Sequence, residues 1–116
     1  MLVHPKNISL DLDKRTSIII KNIPENITPE QFKRIITNFS PYIDFYYIPS
    51  NIKTRKNLRV AFVNVIDYKQ IVPIYMGLLY RMKFKYDNPD IKMEICYSKH
   101  QGKIKLIERF LCDNDC

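Results

Sequence analysis

The spacing of apolar residues changes along this chain in a fixed order, and that order restricts the fold more than any other feature. Thr16 to Ile23 (TSIIIKNI) is a β-branched, apolar run that suits a buried strand, and Pro24 ends it. Thr28-Pro29-Glu30-Gln31 is a helix start: Thr28 can cap, Pro29 suits the first helical position and Gln31 completes a capping box. Phe32, Ile35, Ile36 and Phe39 then recur at helical spacing as one apolar stripe, and Pro41 closes the helix. Ile43 to Ile48 predicts a second strand and Leu58 to Ile66 a third. Asp67 and Gln70 form another cap pair, after which Ile71, Tyr75, Leu78, Leu79 and Met82 keep helical spacing. Pro73 removes a backbone donor there and predicts a bend or a delayed start. A turn at Asp87-Asn88-Pro89-Asp90 precedes a last strand over Lys92 to Ser98, and Lys103 to Leu111 reads as a short third helix.

Strand, helix, strand, strand, helix, strand, helix is the order of an α+β chain. It predicts a ferredoxin-like βαββαβ sandwich: a four-stranded antiparallel sheet with two helices on one face, plus a C-terminal helix. A length of 116 residues fits one core. The expected division is a flexible N-terminal segment 1–14, a domain over 15–111 and a tail 112–116. No run is apolar and long enough for a secretory leader or a bilayer span, so the expectation is an intracellular monomer, in the nucleus or the cytoplasm and away from membranes. Cys96, Cys112 and Cys116 then read as free thiols, and the latter two with His100 fall one convincing ligand short of a metal cluster. Neither cofactor nor metal is expected. Catalysis is disfavoured too, because the chain shows no nucleophile–base pair, no paired-carboxylate site and only two glycines from which to build a phosphate cradle.

Charge points to a polyanionic partner. The formal net charge is +7, and no acidic residue occurs from Phe45 to Ile66, while Lys53, Arg55, Lys56 and Arg59 cluster in that stretch. A solvated loop of a Lys-rich protein would look the same on charge alone. Nine residues separate the flanking strands, enough for a mobile loop that reaches out. Strand alternation sends Ile18, Ile20, Ala61, Val63 and Val65 into the core and turns Ile19, Lys21, Val60, Phe62 and Asn64 outward. In the last strand it buries Ile95 and Tyr97 and exposes Glu94, Cys96 and Ser98; in the second, Tyr46 is the expected exposed aromatic.

Two segments resemble the paired motifs of RNA-recognition modules. Ile18-Ile19-Ile20-Lys21-Asn22-Ile23 is similar to the six-residue motif, and Leu58-Arg59-Val60-Ala61-Phe62-Val63-Asn64-Val65 to the eight-residue one. More particularly, the chain resembles the C-terminal RNA-recognition motif of the Mei-two-like family, the meiosis and differentiation regulators of fungi and plants. That resemblance is carried by Arg15-Thr16 through Lys21-Asn22-Ile23-Pro24, Asp44-Phe45-Tyr46-Tyr47-Ile48-Pro49, Ala61-Phe62-Val63-Asn64, Gln70-Ile71-Val72-Pro73, and Gln101-Gly102-Lys103 with Leu106-Ile107 and Phe110. It implies single-stranded RNA as the partner and post-transcriptional regulation as the setting. Bases would stack on the open sheet face, yet Phe62 is the one aromatic at the three positions that usually are; Ile19 and Val60 fill the others, and Arg59 stands where the motif has glycine.

Weight therefore shifts to phosphate contacts by Lys21, Lys53, Arg55, Lys56 and Arg59, with Ser98, Lys99, His100, Gln101 and Lys103 as rim contacts beside the sheet. A last helix starting near Gly102 would put Lys103 and Lys105 in its first turn, where an anion would relieve their conflict with the helix dipole. An earlier start, capped by Ser98 and Gln101, removes that conflict. Ile104, Ile107, Phe110 and Leu111 are expected in the core or over the sheet. The alternative to RNA binding is a protein-interaction module whose sheet is covered by the last helix or by a partner peptide.

Overall fold

The computed structural model describes residues 1–80 and 93–112, the last two as backbone only. Its elements are helix α1 (Pro5–Ser9), strand β1 (Ser17–Lys21), helix α2 (Pro29–Thr37), strands β2 (Ile43–Tyr47) and β3 (Val60–Val65), helix α3 (Ile71–Tyr80), strand β4 (Glu94–Tyr97) and helix α4 (Lys103–Ile107). The strands form one sheet in the order β2-β3-β1-β4, with each neighbouring pair antiparallel. This is the βαββαβ sandwich expected from the periodicity. The predicted turn at Asp87-Asn88-Pro89-Asp90, the helical positions past Tyr80, Lys92 and Cys116 lie outside the described residues.

Local chemistry explains the helices of the inner face. Thr28 accepts the Gln31 amide and Gln31 reaches back to the Thr28 amide, so the capping box forms as two orphan donors require. Pro73 is accommodated by a delayed start. Asp67 caps a 3-10 turn over Tyr68–Gln70 and α3 begins at Ile71, so Pro73 falls in the first turn, where its missing N–H costs no helical hydrogen bond. Phe32, Ile35 and Ile36 of α2 and Ile71, Ile74 and Leu78 of α3 share one core with the buried strand residues Ile18, Ile20, Ala61, Val63, Val65, Ile95 and Tyr97. Gly77 allows the closest approach: a Cβ there would lie 2.7 Å from Phe39 Cζ.

The N-terminal segment, expected to be flexible, is instead packed on the domain. Val3 N–H donates to Ile95 O and Tyr97 N–H to Met1 O, which lays residues 1–3 along the outer edge of β4. Helix α1 then packs against α3 and buries Ile8 in the same core as Val3. Val3 and Ile8 anchor the segment, because each removes its side chain from water while the backbone of residues 1–3 finds strand partners. Among the described residues, no helix is long and apolar enough to cross a membrane.

Candidate nucleic-acid interface

The sheet face opposite α2 and α3 is the one strand alternation leaves for a ligand. Ile19, Lys21, Val60 and Phe62 do turn to it: Ile19 pairs with Phe62, and Lys21 with Val60, as cross-strand neighbours. Lys21 is exposed, Ile19, Val60 and Phe62 are half-buried, and Glu94 of β4 is the register partner on the other flank of Lys21.

The far half of that face is not open. Asn64, expected as an outward contact, is only 3% exposed. Its Oδ1 accepts the hydroxyls of Thr16 at 2.8 Å and Ser17 at 2.6 Å, and its Nδ2 donates to Asp44 Oδ1 at 2.7 Å. Gln101 is also a structural tie. Its Oε1 accepts the amides of Thr16 and Ser17, while its Nε2 donates to Ser17 O and Ser98 O. The Gly102 N–H donates to Ser17 Oγ and α4 begins at the next residue, so the later helix start is the one that forms. With the chain folded back in this way, Ser98 and Cys96 are 4% and 6% exposed and neither forms an accessible contact. Lys99 and Lys103 are exposed and His100 is half-buried, with its amide on Ser98 Oγ.

Helix α4 therefore crosses the outer face. Leu106 is fully buried outside the main core, whereas Ile104, expected to cover the sheet, is 70% exposed. Past Ile107 the backbone widens into a π-helical turn, Glu108–Cys112, and Phe110 lies 4.4 Å from Phe62 between ring centroids. Phe110 also stacks on Tyr47 at 4.7 Å and 18°. Tyr47 and Phe45, not Tyr46, are thus the second-strand aromatics on this face. The cause is a bulge between Ile43 and Phe45, which shifts the β2–β3 register by one residue; Tyr46 then pairs with core-facing Val63 and Tyr47 with Phe62. Tyr46 keeps 37% exposure at the edge of the helix side.

The basic segment lies at the end of the sheet where Lys21 and Phe62 sit. It folds as a hydrogen-bonded hairpin tip: Ser50 bridges Asn57, Asn51 N–H donates to Lys56 O, and Asn51 Oδ1 accepts the amides of Lys53 and Thr54. Buried Asn57 fixes its base by donating to Pro24 O and Ile27 O and accepting Arg59 N–H. No sequence signal singled out this asparagine. Lys53, Arg55, Lys56 and Arg59 are exposed, and Arg55 and Lys56 line an open groove against Glu25, Thr28 and Glu30. Arg59 adopts a left-handed φ of 64° and sends Nε to Ile23 O. That backbone region favours glycine, which is what the resembled motif carries at this position.

At the opposite, N-terminal corner, Asp13 and Arg15 form an ion pair at 2.7 Å, and the Arg15 guanidinium lies 3.9 Å over the Tyr97 ring. Hydrogen bonding to Arg15 holds the Asp13 carboxyl below its ordinary range. The Asp11 carboxylate accepts the Tyr68 hydroxyl and pushes that phenol up to about 12. No metal-binding cluster of His, Cys, Asp and Glu occurs among the described residues.

Comparison with known proteins agrees with this geometry. The family model for RNA recognition motif 2 matches residues 15–111. Protein MEI2-like 4 of Arabidopsis thaliana is 32% identical over 99 residues, covering 84% of this chain and 11% of that protein. Protein MEI2-like 2 of Oryza sativa subsp. japonica is 31% identical over 113 residues, covering 90% of this chain and 13% of that protein. The chain thus spans roughly a tenth of the length of these relatives. A solved Sxl-lethal protein/RNA complex aligns with a TM-score of 0.45 and 16% identity over 77% of this chain and 50% of that one. With the motif residues placed on β1 and β3 and the match running from Arg15 to Leu111, the chain belongs to the RNA recognition motif 2 family.

Proposed function

We propose that this domain, residues 15–111, binds single-stranded RNA at the hairpin end of its sheet, with Lys21, Arg59, Lys53, Arg55 and Lys56 on phosphates and the Phe62 region taking a base. The observation that supports the reading is that Lys21 and Phe62 share the outer face of the sheet, while the exposed Lys53, Arg55, Lys56 and Arg59 lie in the hairpin that leads from β2 into β3. Phosphate neutralisation supplies most non-specific affinity and makes it salt-dependent, and an aromatic ring adds stacking. Ser98, Asn64 and Gln101 do not belong to this surface, since their polar atoms are engaged within the fold. Lys99, His100 and Lys103 flank the far corner and can extend the track. The relatives' Mei-two-like character extends the proposal to post-transcriptional regulation within a longer protein.

Fluorescence anisotropy with a labelled single-stranded RNA, across a salt series, tests it. Charge reversal by Lys53→Glu, Arg55→Glu and Lys56→Glu together should weaken binding at least about tenfold at low salt, and lower the slope against log salt by about 2 if all three meet phosphates. Unchanged affinity and slope would dispose of the surface. The helix across the sheet favours a second reading, a protein-interaction module; failure of the wild-type chain to retain any RNA would leave that as the better account.

A further inference from the structure

The surface that a base would need on Phe62 already has an occupant. Phe110 lies against that ring and stacks on its cross-strand neighbour Tyr47, so a base and the phenyl group compete for one site. The segment that delivers Phe110 is attached in two parts. Its near end is locked by the Gln101 amide, by Gly102 N–H on Ser17 Oγ and by fully buried Leu106. Beyond Ile107 the helix changes to the π turn that sets Phe110 on the sheet. A change of helix type in so short a segment is a natural break point, and π turns concentrate at functional positions.

We propose that Phe110 is a displaceable gate: a base of single-stranded RNA replaces its ring on Phe62 and Tyr47, and the π turn swings away about the Ile107–Glu108 junction. Gln101, Gly102 and Leu106 keep α4 seated throughout. The inference rests on the RNA-binding reading. One flat ring is exchanged for another of similar size, so the swap is close to balanced, and the gate tunes affinity without abolishing it.

The full chain and a fluorescein-labelled, random-sequence RNA dodecamer provide the test. Phe110→Ala should tighten binding about three- to tenfold, the worth of one aromatic pair in affinity, and adding Phe62→Ala should erase the gain. Unchanged or weaker binding by Phe110→Ala while the wild-type chain binds overturns the gate alone; no binding by either overturns the RNA reading with it. A second readout does not depend on affinity. The chain has no tryptophan, so Phe110→Trp reports one ring, and its emission should shift to the red when saturated with the same RNA. Emission that stays unshifted at saturation means the ring has not left the sheet and overturns the gate.

Discussion

Replacing Arg59 by glycine and, separately, by alanine isolates the cost of its backbone conformation. The residue sits at φ 64°, where a side chain's Cβ costs roughly 1–2 kcal/mol, while glycine gives up about 0.5–1 kcal/mol of chain entropy relative to alanine. Both variants lose the guanidinium and the hydrogen bond to Ile23 O equally, so the difference between them is backbone alone. The glycine variant should be the more stable by about 1 kcal/mol in urea denaturation. At Lys21, in ordinary strand backbone, the order should reverse. Alanine at position 59 equal to or better than glycine would refute the idea that a strained arginine is held there. RNA affinity, in contrast, should fall by the same factor in both variants, because each removes one cation and neither touches the rest of the surface.

Two further outcomes concern the scaffold. Asn64→Ala removes hydrogen bonds joining β1, β2 and β3 and should cost about 2–4 kcal/mol in urea denaturation, at roughly 1 kcal/mol for each of three bonds; a loss under about 1 kcal/mol would mean the hub is dispensable. Tyr68 has its folded value raised to about 12 from 10.0 by its hydrogen bond to Asp11, so the stability this pair provides is complete below about pH 10 and disappears as pH rises through about 12. Stability measured across that alkaline window should decline in the wild-type chain and decline less in Tyr68→Phe; identical slopes would count against the clasp.

What the sequence made legible was set by periodicity, and what it hid was set by features without one. Ile18, Ile20, Ala61, Val63 and Val65 could be assigned to the core because a two-residue period admits one answer for a strand with one buried face. The bulge in β2 leaves no side-chain signature, so Tyr46 and Tyr47 exchanged faces. Alternation turns Asn64 and Ser98 outward but does not say what lies on top: here Thr16, Ser17 and Asp44 satisfy the Asn64 amide, His100 N–H donates to Ser98 Oγ, and Gln101 is held by Thr16, Ser17 and Ser98. Val3 and Ile8 were too sparse to reveal that the first residues would pair with β4. Arg59 could be recognised as a departure from glycine, but its left-handed backbone became visible only in the fold.

Backbone amide chemical shifts recorded by NMR during titration with single-stranded RNA locate the bound strand. The largest changes are expected at Lys21, at Lys53 to Phe62 and at Tyr47, with α2 and α3 silent. Changes confined to those two helices, with the hairpin end of the sheet unmoved, would contradict it.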